Sequence, residues 1–250
     1  MNEIISLTKF SEGDTIGLLH MKDEKSKNTF TDDFVEVFIE ILNKLQKDKT
    51  YKVIILKGLP DVFCAGASKE ALTSIRGGDV DVKDLVLSEL LLQIPVPVIG
   101  VMEGAALGGG FVTGLCCDIL LMNEKKMYGA NFTNMGFTPG MGCTRLIQPL
   151  VGEFIANEML FRGRLFKGRT FKNRSMINYI LPADELMNKA ADIALDIDEK
   201  PRKTLEILKY SLSLRKKQAL IEARVHEDFM HKISFAQPEV AKIIENMYNV

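Results

Sequence analysis

The sequence predicts an α/β fold with a C-terminal helical region, and three features predict it. Apolar β-branched runs alternate with an amphipathic helical stretch, the strand-helix-strand order of a parallel sheet. Gly104-Ala105-Ala106-Leu107-Gly108-Gly109-Gly110-Phe111 stands where one such run gives way to a helical segment. Beyond residue 183 the pattern is helical.

In order along the chain, residues 4–9 and 15–21 read as two strands joined by the turn composition Ser11-Glu12-Gly13-Asp14. Phe30, Phe34, Val37, Phe38, Ile41, Leu42 and Leu45 recur at spacings of three and four, and Thr31 before Asp32 and Asp33 suits a helix start. Residues 53–58 form a buried strand, and Leu59-Pro60-Asp61 turns the chain toward Cys64-Ala65-Gly66-Ala67-Ser68. A helix over 83–93 feeds the strand 98–102, the glycine run and a core helix, and 118–123 is the next strand. From 127 to 142 turn residues dominate, which predicts a long and functional loop. Helices are expected over 144–150, 154–161, 167–174 and 183–195, with a short strand at 179–181. Three more follow at 201–211, 216–235 and 239–247, each with a narrow apolar face, so the tail reads as an interaction layer.

Charge excludes some partners. With 32 Lys plus Arg against 33 Asp plus Glu in 250 residues, nothing in the bulk composition attracts nucleic acid or an anionic membrane. Cys64, Cys116, Cys117 and Cys143 form no C-x-x-C pair, and neither a signal peptide nor a bilayer-length apolar span is visible, so a cytoplasmic protein is expected. Cys64 and Cys143 read as apolar packing in preference to nucleophiles, and no metal site is visible.

Glycines at a strand-to-helix junction expose main-chain N–H groups at the positive end of a helix, which is how an oxyanion or phosphate site is built. Tight helix packing is the competing reading of the same glycines. A nucleotide site is excluded, because the spacing fits neither G-x-G-x-x-G nor a P-loop. The second small-residue turn, 64–68, follows another strand end, so the two turns could each offer one N–H to a single oxygen.

Phe63-x-Ala65-Gly66-Ala67, then Ile94-Pro95-x-Pro97-Val98-Ile99, Gly104-x-Ala106-Leu107-Gly108-Gly109-Gly110, the 118–121 segment and Gly136-Phe137-Thr138-Pro139-Gly140 together resemble the crotonase (enoyl-CoA hydratase/isomerase) superfamily over essentially the whole chain. The resemblance implies a crotonase-like spiral of ββα units over 1–195, a helical region over 196–250 that completes the site and trimerises, and a thioester oxygen held by the N–H groups of Ala67 and Gly109. Hydratases of the family carry glutamates at the positions matched here by Val112 and Phe132, which cannot ionise and which imply an apolar substrate pocket.

Ser68-Lys69-Glu70, the run Asn131-Phe132-x-x-Met135-Gly136-Phe137-Thr138-Pro139-Gly140-Met141-Gly142, and His231 ahead of Phe235-Ala236-Gln237-Pro238-Glu239 resemble the decarboxylases of polyketide β-branching cassettes. That resemblance implies catalytic roles for Lys69 and His231. Taken alone, Lys69 reads equally as a solvated lysine at a helix start. His20 reads as structural in a strand, and His226 shares a helical face with Met230 and Ile233, which predicts packing; His231 is rotated off that face. The implied substrate is a 3-methylglutaconyl-type thioester on the phosphopantetheine of an acyl carrier protein, or on CoA, with no further cofactor. Lys25-Ser26-Lys27-Asn28 resembles the family's region near the CoA phosphates, or is a solvated loop. Hydration or isomerisation of an enoyl-CoA and a noncatalytic carrier-binding scaffold are the alternatives.

Overall fold

Six apolar runs that read as strands from sequence pair into one sheet in the computed structural model, which describes residues 3–10, 13–77, 83–175 and 177–248. β1 (Ile5–Phe10) and β2 (Gly13–Met21) form the expected hairpin; its turn residues Ser11 and Glu12 lie outside the described residues. There follow β3 (Thr29–Phe30), α1 (Asp32–Lys47), β4 (Val53–Lys57), β5 (Val62–Cys64), β6 (Gly66–Ala67), α2 (Lys69–Gly77), α3 (Lys83–Gln93), β7 (Val98–Met102), β8 (Ala105–Leu107), α4 (Gly109–Leu115) and β9 (Ile119–Asn123). Then come β10 (Met127–Gly129), a 3₁₀ turn at Phe132–Met135, α5 (Cys143–Val151), α6 (Glu153–Arg162), β11 (Phe166–Lys167), α7 (Gly168–Phe171), β12 (Tyr179–Leu181), α8 (Ala183–Asp198), α9 (Arg202–Phe235) and α10 (Pro238–Tyr248).

The main sheet runs β1-β2-β4-β7-β9-β12, parallel throughout except for the β1–β2 hairpin. Side chains of β4 alternate between its faces. Ile54 and Leu56 join the larger core with Phe34, Phe38 and Leu42 of α1, whereas Val53 and Ile55 meet Leu186, Ala190 and Ala194 of α8 on the other face. Each fully buried Val, Leu, Ile or Phe side chain among these contributes about 1.5–3 kcal/mol of transfer free energy. Thr31 caps α1 as expected, its hydroxyl accepting from the Phe34 N–H.

Several expectations need correction. A second sheet, β11-β10-β8-β5, and the β3–β6 pair were not foreseen. Their strands are two or three residues long and built partly of Gly and Ala, too short to show a period of two. The 127–142 stretch is accordingly not all loop, since β10 and the 3₁₀ turn lie in it. The helix expected over 167–174 shrinks to α7, because Phe166 and Lys167 pair with β10 instead.

The helices expected over 201–211 and 216–235 are one helix of 34 residues. Ser211-Leu212-Ser213-Leu214-Arg215 interrupts the apolar stripe but contains neither Gly nor Pro, so nothing breaks the backbone. Tertiary anchors carry the helix across the interruption. The Lys209 ammonium is paired with Asp118, and that of Lys216 donates to the carbonyls of Leu115 and Cys117 at the end of α4. The packing face predicted for His226 also turns outward, with His226 and Ile233 exposed and Met230 half-buried. His20 is half-buried in β2, and burial, with Lys57 and Lys22 nearby, lowers its pKa.

Candidate active site

Two backbone turns meet because their strands are neighbours. β5 pairs in parallel with β8, Cys64 opposite Ala106, so the turn after β5 and the glycine run after β8 emerge side by side. Gly66 has φ +84° and Gly108 φ +51°, conformations that side-chain-bearing residues rarely adopt. A Cβ on Gly66 would lie 2.7 Å from the Leu107 carbonyl oxygen and 3.5 Å from the Gly109 nitrogen, a measure of how closely the two turns abut. The Gly108 N–H is fixed to the Gly129 carbonyl at 2.8 Å, whereas Gly109 is the first residue of α4 and its N–H has no acceptor within the helix. Ala67 sits in β6 opposite Phe30 of β3.

These turns form one wall of a cavity of about 260 Å³. Phe132, Met135 and Phe137 make a second wall, Leu72 and Ile75 of α2 a third, and His231 and Phe235 of α9 close it. Among the described residues lining the cavity, His231 is the one titratable side chain.

The imidazole is held by its surroundings. Its ring stands edge-on to Phe137 and Phe235, with centroids 6.4 and 5.5 Å away, while those two phenyl rings stack on each other at 4.5 Å. Nε2 lies 2.9 Å from the Thr138 carbonyl oxygen. A carbonyl can only accept, so Nε2 carries the hydrogen and, in the neutral ring, Nδ1 keeps its lone pair. That Nδ1 is buried and has no hydrogen-bond partner among the described residues. Burial lowers the His231 pKa, opposed by the Thr138 backbone, Asp228 and the Pro139 backbone. The ring is thus half-buried, with Nε2 engaged and Nδ1 an acceptor without a partner among the described residues, and a negative charge beside it would favour the protonated imidazole.

Ala67, Gly109, Phe132 and His231 come together at this cavity. Val112 does not reach it: it is fully buried in α4 and packed into the larger core. Lys69 is half-buried as the first residue of α2, one turn ahead of Leu72, and does not line the cavity in this conformation. Cys64 and Cys143 are buried, and burial pushes the Cys143 thiol up, as packing residues would be. No group of three or more His, Cys, Asp or Glu among the described residues could hold a metal ion.

Sequence reasoning found Phe132 but missed the rest of the walls. Leu72, Ile75 and Phe235 carry no sign that separates a cavity lining from core, and Asn131 reaches the site through the loop already marked as functional. Its Oδ1 lies 3.5 Å from where a Cβ on Gly108 would be.

The family model for enoyl-CoA hydratase/isomerase matches residues 11–248. The bacillaene synthase decarboxylase PksI of Bacillus subtilis (strain 168) is 33% identical over 228 residues, covering 91% of this chain and 92% of that protein. A solved chain from a dehydratase/decarboxylase enzyme couple involved in polyketide beta-branching superposes with a TM-score of 0.93 at 30% identity, over 99% of this chain and 100% of that one. The ECH2 decarboxylase domain of CurF from Lyngbya majuscula superposes with a TM-score of 0.91 at 32% identity and the same coverage.

Proposed function

The chain belongs to the enoyl-CoA hydratase/isomerase family, and from that premise we propose that it decarboxylates a 3-methylglutaconyl-type thioester to a 3-methylcrotonyl-type thioester in polyketide β-branching. One observation carries the reading: the cavity faces two abutting backbone turns on one side and a single half-buried imidazole on the other, with apolar walls between them. That arrangement suits a substrate with a thioester carbonyl at one end and a carboxylate at the other.

In the proposed reaction the thioester oxygen accepts from the N–H groups of Ala67 and Gly109. The bond to the terminal carboxyl group breaks, carbon dioxide leaves, and the electron pair enters the conjugated system, so that the charge of the dienolate reaches the thioester oxygen. Protonation at the terminal carbon then returns the unsaturated thioester. His231 and Lys69 orient the carboxylate and supply the proton; for Lys69 this requires its ammonium to swing from the start of α2 toward Leu72 and Ile75. Phe132 keeps water from the reacting carbons, and Val112 supports the glycine helix from the core side. Neither can activate water, which is why hydration ranks below decarboxylation.

The acyl chain is proposed to arrive on the phosphopantetheine of an acyl carrier protein, with CoA esters as the simpler analogue and no additional cofactor. A homotrimer in the cytoplasm is the proposed assembly. Phe154 and Phe161 of α6, 89% and 86% exposed, and Ile221, Val225, Phe229 and Ile233 spaced along α9 leave apolar surface that further copies would cover. Among the described residues no helix is long and apolar enough to cross a membrane.

The test is carbon dioxide release from carrier-bound 3-methylglutaconyl thioester by the wild type, His231→Ala and Lys69→Ala. Release by the wild type and a loss of about a hundred-fold or more in His231→Ala is expected. Unchanged rates in both variants would remove the site assignment, and no release by the wild type would remove the reaction.

A further inference from the structure

The cavity's imidazole is not held by the residues of the cavity alone. One turn earlier on α9 lies Glu227, only 1% exposed, and α9 buries no other carboxylate among its described residues. Its Oε2 accepts from the Gly142 N–H at 2.7 Å, and its Oε1 accepts from the Thr144 N–H at 2.9 Å and the Thr144 hydroxyl at 2.8 Å. All three partners donate to the carboxylate and favour its ionised form, against a burial that raises the Glu227 pKa above the usual carboxylate range.

Those donors belong to the segment that shapes the opposite side of the cavity. Met141, just before Gly142, has φ +62°, an unfavourable conformation for a residue with a side chain. Its carbonyl is tied to the Ser88 hydroxyl at 3.0 Å. Its sulfur lies so close to the glycine run that a Cβ on Gly109 would come within 2.5 Å of it. Gly140, two residues before Gly142, lies against the His231 ring, where a Cβ would sit 2.7 Å from Cε1. The turn at 140–142 therefore touches both the imidazole and the backbone donor, and Glu227 is the side chain that fastens this turn to the helix carrying His231.

We infer that Glu227 is a positioning residue for the reaction, a buried carboxylate clamp that sets the His231 imidazole and the Met141 support of Gly109 in one register. The inference deepens the decarboxylase reading and rests on it. An ordinary helix cap would serve stability alone, since the start of α5 needs acceptors for its first N–H groups. The clamp differs because its other end is one helical turn from the imidazole.

Glu227→Gln keeps the shape but presents an amide donor to one of three donors, so a bond is lost and a buried pair is left facing itself. Thr144→Val removes one donor, outside the cavity, and is the milder variant. With the carrier-bound thioester, Glu227→Gln is expected to lower kcat about ten- to a hundred-fold with KM changed by less than about three-fold, the pattern of a misplaced catalytic group. Thr144→Val is expected to move kcat in the same direction by a few-fold. The histidine imidazole resonance assigned to His231 should shift in both, measured in the protein without substrate. Wild-type kcat per folded molecule together with an unmoved His231 resonance would overturn the inference and leave Glu227 as a cap alone. If Glu227→Gln does not fold, Thr144→Val decides by the same two readings. Failure of the decarboxylase reading would appear separately, as a wild type that releases no carbon dioxide, and the resonance would still report the clamp.

Discussion

The two halves of the cavity are built by different means. The half proposed to face the thioester is main chain: Gly66 and Gly108 in left-handed conformations and Gly109 at the start of α4. Its geometry is fixed by neighbouring strands and by the absence of side chains. The half proposed to face the carboxylate is side chain: His231, held 93 residues from Thr138 in sequence by a 34-residue helix and two phenyl rings. Backbone donors keep their partial charge at every pH, whereas an imidazole changes charge with its surroundings. On the proposed reaction, charge stabilisation falls to the first half and proton handling to the second.

Removing one group from each half tests the division. His231→Ala should cause the larger loss, about 10²- to 10⁴-fold in kcat, while binding of an unreactive thioester analogue stays near wild type. A comparable loss of analogue binding would instead make His231 a binding residue. Gly109→Ala should lower kcat by about 10²- to 10³-fold. The added methyl would meet Met141 at 2.5 Å and Phe30 at 2.7 Å, displacing the backbone donor, and thioester binding should weaken with it. Wild-type turnover in Gly109→Ala would remove the glycine run from the chemistry.

Lys69→Ala sharpens the comparison further. Because Lys69 opens α2 outside the cavity lining, its loss is expected to be nearer ten-fold, smaller than that of His231→Ala. A loss equal to that of His231→Ala would place the ammonium at the carboxylate in the working complex.

The smallest effect is on stability. Burial holds the folded-state pKa of His231 below 6.5, and that of His20 likewise, so on acidification the unfolded chain binds protons first. Stability present above pH 6.5 is therefore lost as the pH falls through that value, until the folded-state imidazoles are protonated as well. The melting temperature should decline over this window, and His231→Gln should flatten the decline in part. An unchanged slope in that variant would mean that His231 is not neutral when buried.

Long apolar runs made the main sheet readable, since a strand such as Val53–Lys57, buried on both faces, announces itself by composition. β8 and β10 did not, because Ala105-Ala106-Leu107 and Met127-Tyr128-Gly129 pair through their backbones and carry no pattern. The glycine run showed its capacity for an anion in its residues, yet only pairing with β5 brings it to Gly66. His231 was legible through family resemblance alone; the local pattern pointed the other way, putting His226 on a packing face that the fold leaves in solvent. Glu227 was invisible for the same reason, since a glutamate in a charged helix signals solvent until its three donors are seen.

In the proposed reaction this cavity removes a carboxyl group and returns a proton, without adding water. Intact-mass measurement of the carrier-bound product formed from 3-methylglutaconyl thioester in deuterium oxide tests it most directly. The expected product is lighter by one carbon dioxide and carries one solvent deuteron on carbon, formed by the wild type and nearly absent with His231→Ala. A product heavier by one water, or an isomer that keeps its carboxyl group, would contradict it.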